Sequence, residues 1–260
     1  MADPDRLEAL LAAFDNPAIA VSGGVDSMTL ASFAHRRSIA CTAVHAVSPA
    51  VPEEATRRVR EHAASDGWNL KIIDAREFAD PDYVANPANR CFFCKTNLYG
   101  TMAEAVGGTL LSGTNLDDLD DWRPGLEAAN QHGVRHPYVE ADFTKQDVRA
   151  LALEMGLREL SELPASPCLS SRVETGIAID PAMLRRIDLV ESELRRRHGL
   201  HTLRCRRRAG GYVLEIDAER LDGLSAAQRQ SLAAEASALA NEKVHLAAYR
   251  RGSAFLRGTK

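Results

Sequence analysis

The stretch "AIAVSGGVDSMTLA", residues 18–31, decides how the rest of the chain is read. A short apolar run, Ala18–Val21, hands over to Ser22-Gly23-Gly24-Val25-Asp26-Ser27 and then to a helix-compatible segment. Two glycines after a buried strand permit backbone conformations barred to other residues and leave room for close ligand approach. The N–H groups at the helix start that follows carry partial positive charge and favour an anion. Ser22 and Ser27 add hydroxyl donors, so the turn suits phosphate. A serine-nucleophile elbow needs Gly-x-Ser-x-Gly, which is absent. The common P-loop needs a lysine after its last glycine to grip β- and γ-phosphates, and that lysine is absent too. A bare turn with two glycines is the remaining alternative.

Working outward, the first 155 or so residues alternate short apolar runs with segments of helical period. The pattern predicts strands at Ala18–Val21, Cys41–Val47, Leu70–Asp74 and Thr109–Ser112, with a weaker one near Val134–Tyr138. Helices are expected at Ser27–His35, Glu53–Asp66, Cys94–Val106, Pro124–His132 and Lys145–Met155. Gly67-Trp68 and Gly107-Gly108 suit helix C-caps, and Thr144 with Asp147 three residues on suits an N-cap. Such alternation reads as an α/β fold, a doubly wound and mostly parallel sheet. In these sheets ligands sit beyond the carboxyl ends of strands, which selects the loops after Val21, Val47, Asp74 and Ser112.

Residues 156–176 lack periodicity and hold Pro164, Pro167 and Cys168. A loop of about 20 residues inside a compact domain is uncommon and often functional. Beyond it come a helix at Pro181–His198, a hairpin around Ala209-Gly210-Gly211, a helix at Ser225–Asn241 and a strand near Lys243–Tyr249. The expected organisation is a nucleotide-binding domain over residues 1–160 and a cysteine-bearing loop with a smaller α+β domain over 161–260.

Of the 260 residues, 45% are hydrophobic and 26% charged, the balance of a soluble globular protein. A net charge of −4 gives no global pull toward nucleic acid. No apolar run approaches the roughly 18 residues that span a bilayer. The acidic, amphipathic N-terminus is wrong for a secretory signal. Five cysteines, an odd number, do not form a disulfide framework, so a cytoplasmic protein with reduced thiols is expected.

In "NPANRCFFCKTNLY", Cys91 and Cys94 form Cys-x-x-Cys at a helix start, which favours thiolates as soft-metal ligands or redox groups. Cys168 lies in "PASPCLSSR". Three thiolates hold three irons of a [4Fe–4S] cube and leave the fourth open. A structural zinc wants a fourth ligand, and none is obvious. Cys41 and Cys205 read as buried strand and hairpin residues. In "GTNLDDLDDWRPG", Asn115, Asp117, Asp118, Asp120 and Asp121 cluster just past a strand end, where carboxylates could hold magnesium or a nucleotide. Arg123 offers its planar fork to a carboxylate or phosphate. Arg204 and Arg206 alternate along a strand and so share a face. A solvated acidic loop and a charged surface are the plain alternatives. His45, inside an apolar strand, reads as a satisfied core histidine.

Ser22–Ser27 matches the SGGxDS signature of the PP-loop ATP pyrophosphatases. Together with "CFFCK", "GTNLDDLDDWRPGL", "TKQDVRALALEMGL" and "PASPCLSSR", it resembles the LarE family of that superfamily. The resemblance runs from about Ala18 to Gly176, and more loosely to Tyr249. It implies an ATP-dependent sulfurtransferase, releasing AMP and pyrophosphate, that acts on pyridinium-3,5-biscarboxylic acid mononucleotide for nickel-pincer nucleotide biosynthesis. ATP with Mg²⁺ adenylates each carboxylate, and sulfur displaces AMP to give a thiocarboxylate. By the same resemblance Ser22, Gly23, Gly24, Val25, Asp26, Ser27, Gly113, Asn115 and Asp118 hold ATP. Arg123, Arg204, Arg206 and Glu215 bind the substrate and its phosphate. The cysteines matching Cys91, Cys94 and Cys168 carry a [4Fe–4S] cluster in one branch; in another, the Cys168 position gives up its own sulfur. All three are present here, so the cluster-dependent branch is expected. The partner is a small pyridinium nucleotide, not nucleic acid or membrane, and a homo-oligomer is expected. A PP-loop tRNA thiolation enzyme is the alternative. An amide-forming ligase of the same superfamily leaves the three cysteines unexplained, and a non-enzymatic nucleotide or iron–sulfur carrier is the weakest reading.

Overall fold

The computed structural model describes residues 2–119, 124–165, 167–250 and 252–255. The chain divides into two compact units: Met1–Asp80 with Asn89–Ser166, and Pro81–Ala88 with Pro167–Lys260.

In the first unit, β1 (Ala18–Ala20), β2 (Thr42–Val47), β3 (Leu70–Asp74) and β4 (Leu110–Leu111) form an all-parallel sheet in the order β3-β2-β1-β4. Side chains alternate between its faces, as the period of two requires. Ile19, Val21, Ala43 and Leu111 enter one core, while Ala18, Val44 and Leu110 enter the other. The helices α1 (Pro4–Ala12), α2 (Val25–Arg36) and α3 (Glu53–Asp66) bring Leu7, Met28, Phe33 and Val59 to the first core. Two more, α4 (Arg90–Ala105) and α5 (Pro124–Gln131), bring Tyr99, Met102 and Ala129 to the second. The helix α6 (Lys145–Glu154) returns to the first core through Val148 and Leu151. Each Leu, Val, Met or Phe among them, taken fully from water, contributes about 1.5–3 kcal/mol. Both faces are covered by helices, so the unit is α/β and Rossmann-like.

Strand order reverses between β1 and β4, because chain-consecutive strands run outward from β1 on one side and β4 lies on the other. The loops leaving these two neighbours therefore open a crevice at the carboxyl edge. This is the edge selected from the sequence.

Two expectations are corrected. Near Val134–Tyr138 the chain makes only a single bridge, Arg135 to Leu111, and Pro137–Glu140 is a helical turn. Proline lacks the N–H a ladder needs, and its fixed φ starts a helix instead. Gly107-Gly108 does not cap α4, whose C-cap is Val106. Gly108 serves the loop beyond, at φ +91°, where a Cβ would lie 2.6 Å from the Asn16 carbonyl oxygen.

The second unit holds α7 (Pro181–His198), an antiparallel hairpin of β5 (Leu203–Arg208) and β6 (Gly211–Ile216), α8 (Ala226–Ala240) and β7 (Val244–Ala248) parallel to β6. Asp180 caps α7 through Met183 N–H, and Pro181 occupies its first turn. The residues 81–88 are fastened here by Asn86, whose side-chain amide donates to the carbonyls of Glu174 and Ile177 at 2.8 Å each. No described helix is long and apolar enough to cross a membrane.

Candidate functional site

At the end of β1 the turn closes on itself. Ser22 N–H donates to Ser27 Oγ at 3.0 Å, and Ser27 Oγ donates to the Gly24 carbonyl at 3.3 Å. Gly23 stands at φ +82°, and a Cβ there would lie 2.8 Å from the Ala55 carbonyl oxygen. Only glycine fits both the backbone angle and the close approach of α3. No side chain caps the first turn of α2. Its N–H groups thus face the crevice with the helix's positive end, the chemistry that receives phosphate. Gly23 and Gly24 keep that cradle free of side chains.

The last carbonyl of the strand is fixed from below. His45 is fully buried; its Nδ1–H donates to the Val21 carbonyl at 2.7 Å and its Nε2 accepts from the Thr56 hydroxyl at 2.9 Å. Burial holds its pKa below the usual histidine value. It is a satisfied core histidine, as its sequence context indicates, and it anchors the strand that carries the turn.

The loop after β4 lies against this turn. A Cβ on Gly113 would come 2.7 Å from Ser27 N, so glycine is required for the two loops to meet. Asn115 is buried and donates from Nδ2 to Asp26 Oδ1 at 3.1 Å. Asp118 closes a capping box by accepting from Asn115 N–H at 3.2 Å. Ser112 Oγ lies 2.8 Å from His136 Nδ1 and 2.9 Å from Thr114 Oγ1, tying the start of the loop to the segment after α5. Of this motif, Asp120, Asp121 and Arg123 lie outside the described residues.

The third contributor is Lys145, which from sequence alone is a helix-start residue. Thr144 and Asp147 form a capping box that starts α6 at Lys145. The ammonium then reaches Asp26, at 2.6 and 2.5 Å from its two carboxylate oxygens. The backbone N–H of Lys145 donates to Asp117 Oδ2 at 3.2 Å. The signal that could have singled it out is chemical: a phosphate cradle lacking its P-loop lysine and carrying an aspartate needs a cation from elsewhere. Oxygen donors at Asp26 and the β4 loop fit magnesium, which typically takes one or two carboxylates and completes its shell with phosphate and water.

The cysteines divide between the units. Cys91 and Cys94 lie one turn apart at the start of α4, both half-buried. Cys168, also half-buried, precedes the 3₁₀ turn Leu169–Arg172 in the second unit. Soft thiol donors fit iron better than magnesium. Among the described residues no three His, Cys, Asp or Glu side chains stand grouped to hold a metal ion. Cys41 and Cys205 are buried, and burial pushes the Cys41 thiol up to about 11 and the Cys205 thiol higher still. Neither is suited to thiolate chemistry.

In the second unit Arg206 is buried and committed: Nε donates to Glu215 Oε2 at 2.7 Å, and Nη1 to the Ser171 carbonyl at 3.1 Å. Glu215 Oε1 accepts from Arg208 and Ser253, each at 2.7 Å. These contacts outweigh burial and hold the carboxyl below its usual value. Arg204 is half-buried, its guanidinium 6.0 Å from the centre of the Tyr249 ring. Burial and the nearby Arg172 both lower its pKa.

A Rossmann-like α/β unit with an anion-receiving turn at its strand-order reversal, joined to a smaller mixed-sheet unit rich in arginine, defines the class of protein. No family model matches the chain. An uncharacterized Synechocystis protein is 36% identical over 225 residues, 84% of this chain and 82% of that one. The pyridinium-3,5-bisthiocarboxylic acid mononucleotide synthase of Lactiplantibacillus plantarum is 30% identical over 196 residues, 72% of this chain and 70% of the synthase. An uncharacterized protein of Methanocaldococcus jannaschii is 26% identical over 181 residues, 68% of each chain. The chain belongs to the LarE family, that of the pyridinium-3,5-bisthiocarboxylic acid mononucleotide synthase.

Proposed function

We propose that the protein is an ATP-dependent sulfurtransferase that converts carboxylates of pyridinium-3,5-biscarboxylic acid mononucleotide to thiocarboxylates. The observation that carries this reading is the side-chain-free cradle at Gly23-Gly24, with Asp26 paired to Lys145 beside it. The turn receives the pyrophosphate portion of ATP on the N–H groups of α2, with the Ser22 hydroxyl donating to it and the Ser27 hydroxyl holding the Gly24 carbonyl that shapes the turn. Asp26 would hold Mg²⁺, which would bridge to phosphate oxygens, and Lys145, paired to Asp26, offsets the carboxylate's repulsion of the phosphates. Substrate carboxylate attacks the α-phosphorus; the bond to pyrophosphate breaks, and an acyl adenylate results.

Sulfur then attacks the acyl carbon, the C–O bond to AMP breaks, and thiocarboxylate and AMP leave. Cys91, Cys94 and Cys168 are the thiols that would supply this sulfur through a [4Fe–4S] cluster, although the described residues do not group three such donors. Arg204 serves the substrate phosphate. Arg206 and Glu215 support that surface from within, which their mutual pairing favours over direct contact.

A pyrophosphate-release assay comparing the pyridinium dicarboxylate nucleotide with bulk tRNA tests the reading. Release stimulated by the nucleotide is expected; release stimulated only by tRNA makes the protein a tRNA thiolation enzyme instead.

A further inference from the structure

We propose that Arg172, locked to Glu191, is the positioning residue for the Cys168 sulfur. The inference rests on the sulfur-transfer reading above and adds a part to it.

The side chain of Arg172 is almost wholly buried and folds back under its own segment. Nη1 donates to the carbonyls of Pro167 at 2.6 Å and Cys168 at 3.2 Å, and to Ser171 Oγ at 3.1 Å. One guanidinium thus holds the peptide groups on both sides of the Cys168 α-carbon. The other edge of the fork meets Glu191: Nε to Oε1 at 3.0 Å and Nη2 to Oε2 at 2.9 Å. Glu191 is fixed in turn by the Cys205 N–H, which donates to Oε1 at 2.9 Å. Two further grips reach the segment from within the unit, Arg206 on the Ser171 carbonyl at 3.1 Å and Tyr83 Oη 2.6 Å from Ser170 Oγ. Cys168 itself is half-buried.

A buried ion pair is a poor source of stability, since desolvating both charges consumes most of the attraction. What the planar fork provides is direction, five donors at fixed angles, which an ammonium does not reproduce. Sulfur transfer demands direction, because the Cys168 thiol helps to place the attacking sulfur, and a misplacement of about 1 Å costs on the order of 100-fold in rate.

The test uses the full chain carrying Arg172→Met with Glu191→Leu, which replaces the pair by apolar groups and leaves no lone buried charge. Pyrophosphate release, thiocarboxylate formation and amide hydrogen exchange are read on the same samples. Expected are unchanged pyrophosphate release, sulfur transfer lower by about 100-fold, and lost protection at Ser171 and Val173 N–H, which donate to the Cys168 and Ser170 carbonyls. Arg172→Lys, which keeps the charge without the fork, is expected to leave transfer impaired, and it carries the test if the double variant does not fold. Wild-type sulfur transfer in either variant overturns the proposal, as does an equal fall of both activities in a folded protein. Unchanged exchange at Ser171 and Val173 overturns it as well, whatever substrate the enzyme takes. Failure of the functional reading shows separately, as a wild-type protein that releases no pyrophosphate with the nucleotide.

Discussion

Lys145 and Asp26, 119 residues apart in sequence, form the ion pair at the centre of the candidate site, with the ammonium 2.5 Å from Asp26 Oδ2. The pair sets the charge of the cradle. Removing the ammonium leaves a carboxylate facing the phosphates of ATP. Hydrogen bonds to charged groups contribute about 1.5–3 kcal/mol. Lys145→Ala is therefore expected to raise the KM for ATP by roughly 10- to 100-fold, measured by pyrophosphate release. An unchanged KM contradicts the assignment.

The two glycines of the turn are expected to differ. Gly23→Ala combines a strained φ with a contact under 3 Å to α3. It should lower stability by about 2–4 kcal/mol and abolish the ATP-induced rise in Tm. At Gly24 the nearest atom to an added Cβ is Ser22 Oγ at 3.6 Å, an ordinary contact. Gly24→Ala should therefore fold normally. Urea unfolding of both variants checks the contrast, and equal losses contradict it.

Four histidines link stability to pH. Burial lowers the pKa of His35, His45, His62 and His136 below 6.5 in the folded state. The unfolded chain then binds more protons than the native one as pH falls below 6.5. Their contribution is full above that value and is lost on acidification through their lowered folded values. Glu77, raised by burial, acts with the opposite sign, from 4.5 up to its raised value. The urea midpoint is expected to fall between about pH 7 and pH 5, less steeply in His45→Asn. A midpoint that rises on acidification contradicts the account.

Cysteine substitutions separate the two kinds of thiol. Cys91→Ser, Cys94→Ser and Cys168→Ser should each deplete iron and acid-labile sulfide in anaerobically prepared protein, whereas Cys41→Ala should not. Wild-type protein without iron or acid-labile sulfide would contradict the cluster, and a loss of the mass of H₂S in a single turnover would show that Cys168 is consumed instead.

Arg204 and Arg206 should part in the same way. Arg206→Ala removes one partner of a buried pair and is expected to cost about 3–5 kcal/mol of stability. Arg204→Ala should raise the KM for the pyridinium nucleotide with little change in Tm. Calorimetry together with kinetics distinguishes them.

The first unit was legible because its strands are short apolar runs alternating with segments of helical period. Glu53–Asp66 and Leu70–Asp74 stand at their predicted bounds. The cradle was legible because its chemistry is local, six residues between a strand and a helix. What sequence hid is long-range. Lys145 meets Asp26 only once α6 has docked. The residues 81–88 belong to the second unit through distant contacts, Asn86 finding its partners about 90 residues on. Arg206 shares a strand face with Arg204 by alternation, and Glu215 enters by family resemblance; neither signal shows that the two pair with each other. Glu191 did leave a trace. It shares the buried stripe of Leu184, Ile187, Val190 and Leu194, where a carboxylate needs a partner.

The central claim is that this chain exchanges carboxylate oxygen for sulfur at the expense of ATP. The most direct measurement is the mass of the nucleotide after anaerobic incubation with ATP, Mg²⁺ and sulfide. The account predicts a product heavier by the difference between sulfur and oxygen, formed with AMP and pyrophosphate and absent when Asp26→Ala protein is used. A nucleotide of unchanged mass, with iron and sulfide bound and ATP hydrolysed, would contradict it.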